Sequence, residues 1–304
     1  MRLKRMIAAV LCAACLVSAL GFSAAAEGET TQADNSKPYL VLGADLNADQ
    51  LATVLDLLGV KDPANYQQNY NVSYTTNAEE YEYFGDYLDA SVIGSKAYSS
   101  ILLTPREKGK GISVTTHNIT YCTVEMYQNA LITAGVSDVD LVVAGPTNIS
   151  GTAALVSAMK AYEIMTGETL SEQSVDAANN ELVLTGEIGQ EIGDSTKAAE
   201  LIAALKNEVF ADGKNVTDQE IEGTLDRICQ EMGITLDDAT RQEIIDLIKK
   251  IASTDFDVAA LEQQAKELFN KVENVLNDLT GGDAQGFFTR LWNQIVAFIQ
   301  NLLQ

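Results

Sequence analysis

The sequence predicts an α/β N-terminal domain with a partly parallel sheet, followed by an all-α helical-bundle C-terminal domain. Three observations predict it. A strand-like run, a helix-like run and a second apolar run follow one another between Ile112 and Ala144 at the lengths of a βαβ crossover. Beyond residue 194 the apolar residues recur only at helical spacing. Finally, 304 residues with 46% apolar content supply enough material for two packed cores.

In chain order, residues 1–26 read as a secretory leader. Arg2, Lys4 and Arg5 form a basic start, an uncharged apolar run extends from Met6 to about Leu20, and Ala24-Ala25-Ala26 precedes Glu27 as a small-residue cleavage site. The run is short for a membrane span. A lipoprotein reading through Cys15 is weaker, because Cys12 stands where a Leu-like residue is wanted. The expected location is therefore secreted, either extracellular or associated with the cell envelope. Residues 27–37 follow as a polar linker.

The α/β domain is expected over 38–170. Tyr39-Leu40-Val41-Leu42 reads as a buried strand. Asn47 caps a helix carrying Leu51, Val54, Leu55 and Leu58, which Gly59 stops. Tyr70, Val72 and Tyr74 alternate with polar residues, as a half-buried strand requires. A short helix starts at Asn77, read as its cap. Next come the strand Ile112–Ile119, the helix Thr123–Ala134 with Gly135 beyond it, the strand Asp140–Ala144, and a helix from Ser150 or Gly151 to Met165 closed by Gly167.

A connecting segment is expected over 171–194, in which Glu181-Leu182-Val183-Leu184-Thr185 reads as one more strand or hairpin arm. The helical bundle is placed at 195–304. Ala198, Leu201, Ile202, Leu205 and Val209 share one face. Thr217 and Glu220 form a capping box ahead of Ile221, Leu225, Ile228 and Cys229. Thr235 is read as the cap of a helix carrying Ile244, Leu247, Ile248 and Ile251. Leu261, Ala265, Leu268, Val272, Val275 and Leu279 form a heptad-like stripe, and Phe287–Leu303 a last helix.

The chain carries 43 acidic against 20 basic residues, a net charge of −23. Loss of the leader, with its three cations and no acids, would take this to −26. Such a surface repels nucleic-acid phosphates and anionic lipid and keeps an exported chain soluble. Partners consistent with it are a protein, a wall polymer or a cation. Without the leader only Cys122 and Cys229 remain, so the choice lies between one bridge and two buried thiols.

Among candidate sites, Gly145–Thr152 stands first, because ligands of parallel sheets gather where strands end and helix N-termini begin. Ser150, Gly151 and Thr152 would sit at that terminus. The stretch lacks the Lys of a Walker loop and the flanking glycines of a nucleophile elbow; as a purely structural alternative, Ser150 caps the helix. Asp45 and His117 are the polar groups that could join them. As the single histidine, His117 excludes any two-histidine metal centre. Its spacing from Cys122 puts the two on opposite strand faces unless the chain bends at Thr120-Tyr121. Asp45 with Glu79-Glu80 is a conceivable carboxylate pair that nothing in the sequence brings together. The loop Asp212-Gly213-Lys214-Asn215 lacks the ligand spacing of an EF-hand. No cofactor, metal site or catalytic set is indicated. The last helix, with Phe287, Trp292 and Phe298, is expected to close the bundle, or else to meet a membrane surface or a partner groove.

Several stretches carry a family resemblance: Leu42-Gly43-Ala44-Asp45-Leu46, Thr76-Asn77-Ala78-Glu79-Glu80, Ile93-Gly94 leading to Ser99-Ser100, and Gly111-Ile112-Ser113-Val114. Others are Cys122 to Met126-Tyr127, Ala130-Leu131 to Ala134-Gly135, Ser150-Gly151-Thr152-Ala153-Ala154-Leu155 and Lys160-Ala161-Tyr162-Glu163. In these the chain resembles the YpuA-like secreted proteins of Gram-positive bacteria, a domain of unknown function. The resemblance implies export and transfers no reaction, cofactor or site. The expected function is a non-catalytic binding module outside the cytoplasm; the alternative is a small-molecule-binding or hydrolytic domain with its site near Gly145–Thr152.

Overall fold

A computed structural model describes residues 37–261 apart from 212, 257 and 259. The leader, the linker up to residue 36, the stripe beyond Leu261 and the last helix lie outside the described residues. In order, the elements are β1 (Tyr39–Gly43), α1 (Ala48–Leu57), α2 (Tyr66–Asn69), β2 (Asn71–Thr75), α3 (Asn77–Phe84), α4 (Ala90–Ile93), β3 (Ser100–Pro105), β4 (Ile112–Ile119), α5 (Val124–Ala134), β5 (Val139–Ile149), α6 (Thr152–Thr166), α7 (Glu172–Ile192), α8 (Ser195–Val209), α9 (Asp218–Met232) and α10 (Asp238–Ala252).

The strands form a five-stranded sheet in the order β2-β1-β3-β5-β4. β1 runs parallel to β2, and β4 parallel to β5, as the βαβ spacing predicts. β3, a strand that periodicity does not single out, lies antiparallel between β1 and β5. Four strands therefore end on one edge of the sheet, where β3 begins. Alternation along β1 splits the core. Leu40 and Leu42 face Val54, Leu55 and Leu58 around α1. Tyr39 and Val41 join Ile101, Leu103, Leu141 and Val143 in a larger core on the other side.

That larger core is continuous with the C-terminal helices, reaching Leu182, Leu201, Leu225 and Ile248. The segment expected to connect two domains is α7, a 21-residue helix packed against α5, α8 and α10. Glu181–Thr185 is accordingly helical, not a strand. Ala177, Ala178, Leu182, Val183, Leu184 and Ile188 are buried around that helix, and a short apolar run buried on several sides has no period to separate the two states.

Two caps also differ from expectation. Thr76, not Asn77, caps α3: its hydroxyl accepts the Glu79 N–H at 3.2 Å while the Glu79 carboxylate takes the Thr76 N–H at 2.7 Å. Asp237, not Thr235, caps α10 by accepting the Thr240 N–H at 2.7 Å. The caps at Asn47 and Thr217 stand where the sequence puts them, and Thr123, read as the first residue of its helix, is the cap of α5.

Candidate functional site at the carboxyl edge of the sheet

β5 does not stop at Ala144. After a bulge at Asn118, which has φ +60°, pairing with β4 resumes at Ile119–Ile149, so Gly145–Ile149 is strand and the loop before α6 shrinks to Ser150-Gly151. Gly151 occupies the cap position of α6 with φ +95°. A Cβ there would fall 2.5 Å from both the Tyr127 hydroxyl and Ile119 Cγ2, so the chain needs glycine for space as well as for conformation. Ser150 does not cap the helix; its Oγ lies 3.2 Å from Thr152 Oγ1.

With no side chain at its own cap, α6 is capped from another element. Glu80 of α3 is 2% exposed and accepts a 2.5 Å hydrogen bond from the Thr152 hydroxyl, together with bonds from the Ala153 N–H and the Asn77 side chain. Burial nevertheless holds its carboxyl above the usual carboxylate range, outweighing those three donors. The free N–H groups and positive end of α6 are thus met by a buried acid. Beside it, Tyr127 donates to the Gly151 carbonyl at 2.6 Å and touches Cys122. Burial pushes the Cys122 thiol up to about 12, so it is not a thiolate at neutral pH. Cys122 and Cys229 are both free and buried.

The sequence-selected residues share this edge without forming one constellation. Asp45, beyond β1, is exposed, and its Oδ2 accepts the Ala97 N–H at 2.8 Å, tying the β1 loop to the start of β3. His117 stands opposite Ala144 on the outer strand. No hydrogen bond joins His117 to Cys122, Ser150 or Asp45 among the described residues. Glu79 and Glu80 part company: Glu79 pairs with Lys160 at 2.6 Å while Glu80 turns to α6. In the loop once compared with an EF-hand, Lys214 donates to the carbonyls of Thr254 and Phe256 and lies over the Phe256 ring. Among the described residues no group of three His, Cys, Asp or Glu side chains could hold a metal ion. None of the described helices is long and apolar enough to cross a membrane.

A second polar centre, absent from the sequence reading, lies inside the helical layer. Lys206 of α8 and Glu181 of α7 are both 0% exposed and meet at 2.7 Å. The ammonium also donates to Thr133 Oγ1 at 2.8 Å and to the Asn129 carbonyl at 3.0 Å, and Thr133 donates to the other Glu181 oxygen at 2.5 Å. Burial pushes Glu181 up and Lys206 down, each opposed by its partner's charge. Every donor of this network is used within the protein, so it pins α5, α7 and α8 together and leaves no group for a ligand.

Fold and site define a mixed α/β protein in which the parallel-strand edge is closed by a carboxylate capping a neighbouring helix. The chain belongs to the family described as protein of unknown function (DUF1002), which matches residues 42–268. It is 37% identical over 265 residues to uncharacterized protein YpuA of Bacillus subtilis (strain 168), covering 86% of this chain and 89% of that protein. No solved structure matches.

Proposed function

We propose that the protein is exported and works outside the cytoplasm as a non-catalytic binding module, with a protein, a wall polymer or a cation as its partner. Export rests on the leader pattern of residues 1–26. The observation that carries the binding role is the engagement of the edge groups. Asp45 and Thr152 are hydrogen-bonded to the fold itself, and the Cys122 thiol is buried and protonated, which leaves a scaffold rather than an activated nucleophile. The test is expression of the full chain with a C-terminal tag in a Gram-positive host. A mature form beginning at Glu27, recovered from medium or envelope together with envelope material, is the expected result. An intact form beginning at Met1 in the cytosol would overturn it. Comparing that fractionation with a chain lacking Phe287–Gln304 tests attachment through the last helix.

One observation favours hydrolysis as a second reading. Ser150, Thr152 and Glu80 form a continuous hydrogen-bonded chain from a half-buried hydroxyl to a buried acid. Turnover of small esters that Ser150→Ala abolishes would establish it; turnover unaffected by that change would dismiss it.

A further inference from the structure

β2 is an outer strand of the sheet, with β1 as its neighbour, and the chain enters it through α2. From Ala64 to Ala78, in a chain with a net charge of −23, there is no Asp, Glu, Lys or Arg. Tyrosines and amides take their place: Tyr66, Gln67, Gln68, Asn69 and Tyr70 lead into the strand, and Tyr74 stands within it. Gln67, Gln68 and Asn69 are exposed. Tyr74 is 46% exposed, more than any other large apolar or aromatic side chain among the described residues. The charges that border it, Glu79 and Lys160, neutralise each other at 2.6 Å.

The rings are fixed in place. Tyr66 and Tyr70 pack with Val72 against the core around α1. The Tyr70 hydroxyl accepts the Lys61 N–H at 3.0 Å, and the Tyr66 hydroxyl accepts the Gln67 amide at 3.4 Å and is hydrogen-bonded to Tyr74. Side chains tied at their tips need little further ordering on binding. The groups then say what they can recognise. A primary amide donates and accepts at once, the complement of a hydroxyl or an acetamido group. A tyrosine ring adds rigid, amphipathic contact area, on which the C–H face of a sugar ring can stack. No charge is present to hold an ion, and the acidic body repels polyanions. Addition of a peptide strand is hindered as well, because Lys160 already donates to the Tyr74 carbonyl at 2.8 Å.

We propose that this margin of the sheet binds an uncharged glycan strand of the cell wall, with sugar rings stacked on Tyr66 and Tyr74 and their hydroxyl and acetamido groups bonded to Gln67, Gln68 and Asn69. The proposal selects the wall polymer among the partners named above and rests on that reading for its setting. The test is titration of the chain from Glu27 to Gln304 with N-acetylchitotetraose, followed by saturation-transfer NMR. Saturable binding is expected, unchanged when sodium chloride is raised from about 50 to about 500 mM, since no charge is involved. Tyr74→Ala should weaken it roughly tenfold through loss of a stacked ring, whereas Tyr74→Phe, which keeps the ring, should retain it. Gln67→Ala with Gln68→Ala, both exposed, should weaken it too. Tyr81→Ala, which removes another exposed tyrosine on α3, should not. No saturation, a steep fall with salt, equal loss with Tyr81→Ala, or an envelope protein held through Tyr74 that the tetrasaccharide fails to displace would each overturn the proposal. A chain retained in the cytosol would defeat the export reading and leave this titration standing.

Discussion

At the scale of single residues, Lys206 shows how much depends on partners rather than on type. Its ammonium is fully buried and has three acceptors from two neighbouring helices. Lys206→Met leaves Glu181 as an unpaired buried charge and should cost about 3–5 kcal/mol, whereas Lys206→Met with Glu181→Leu should recover most of it. Urea denaturation of both variants checks this; a double variant no more stable than the single one would refute it. Glu80 gives a pH signature instead. Burial raises its folded-state pKa above the unfolded value near 4.5. The stability contributed by its proton is therefore complete below pH 4.5 and is lost as pH rises through the raised value. Glu80→Gln keeps an acceptor for Thr152 and Ala153 without the charge. It should gain stability relative to the parent between pH 4.5 and neutrality, and gain nothing below that. Denaturation midpoints of the two proteins across that interval provide the measurement.

At the scale of elements, the caps at Asn47 and Thr217 were legible, whereas those of α3, α6 and α10 fall one or two residues from expectation and the interior of α7 was misjudged altogether. Capping is local chemistry: Thr217 accepts the Glu220 N–H at 3.3 Å, three residues away, and such a pattern can be read directly from the chain. Thr123→Ala should lower stability by about 1 kcal/mol without changing the fold, visible as a shifted urea midpoint with an unchanged slope. Glu181-Leu182-Val183-Leu184-Thr185 was misread because the α7 face is defined by Lys206 and Thr133, distant in sequence. Capping of α6 by Glu80 was invisible for the same reason, with 72 residues separating donor and acceptor. The βαβ pair was legible because its spacing alone dictates parallel pairing, whereas β3 enters between β1 and β5 only through long-range pairing. Ser150 and Thr152 lie at the junction of β5 and α6, where the strand–helix pattern puts them, while Asp45 follows β1 and His117 lies within β4. Which of them touch was decided by the Asn118 bulge and by Glu80, and neither has a local signature.

At the scale of the whole molecule, the shared core makes the sheet and the helices after it dependent on one another. α5 buries Met126, Tyr127, Ala130 and Leu131 toward the sheet and helices alike, while its Asn129 donates to the Ala199 carbonyl of α8 at 2.9 Å and its Thr133 to Glu181 of α7. A chain ending at residue 170, the boundary that periodicity suggests, would expose that side of α5. There the Asn129 amide and Thr133 hydroxyl would exchange their partners on α8 and α7 for water, losing about 0.5–1.5 kcal/mol each. Against a typical net stability of about 5–15 kcal/mol, those losses, added to the exposed apolar surface of α5 and α6, should prevent residues 37–170 from folding alone. The fragment should give a collapsed amide spectrum by NMR and no cooperative transition in urea, while the full chain unfolds with a single transition over the helices and sheet together. A dispersed spectrum from residues 37–170 would mean that the sheet supports itself, and that α7 docks onto a finished domain instead of completing one.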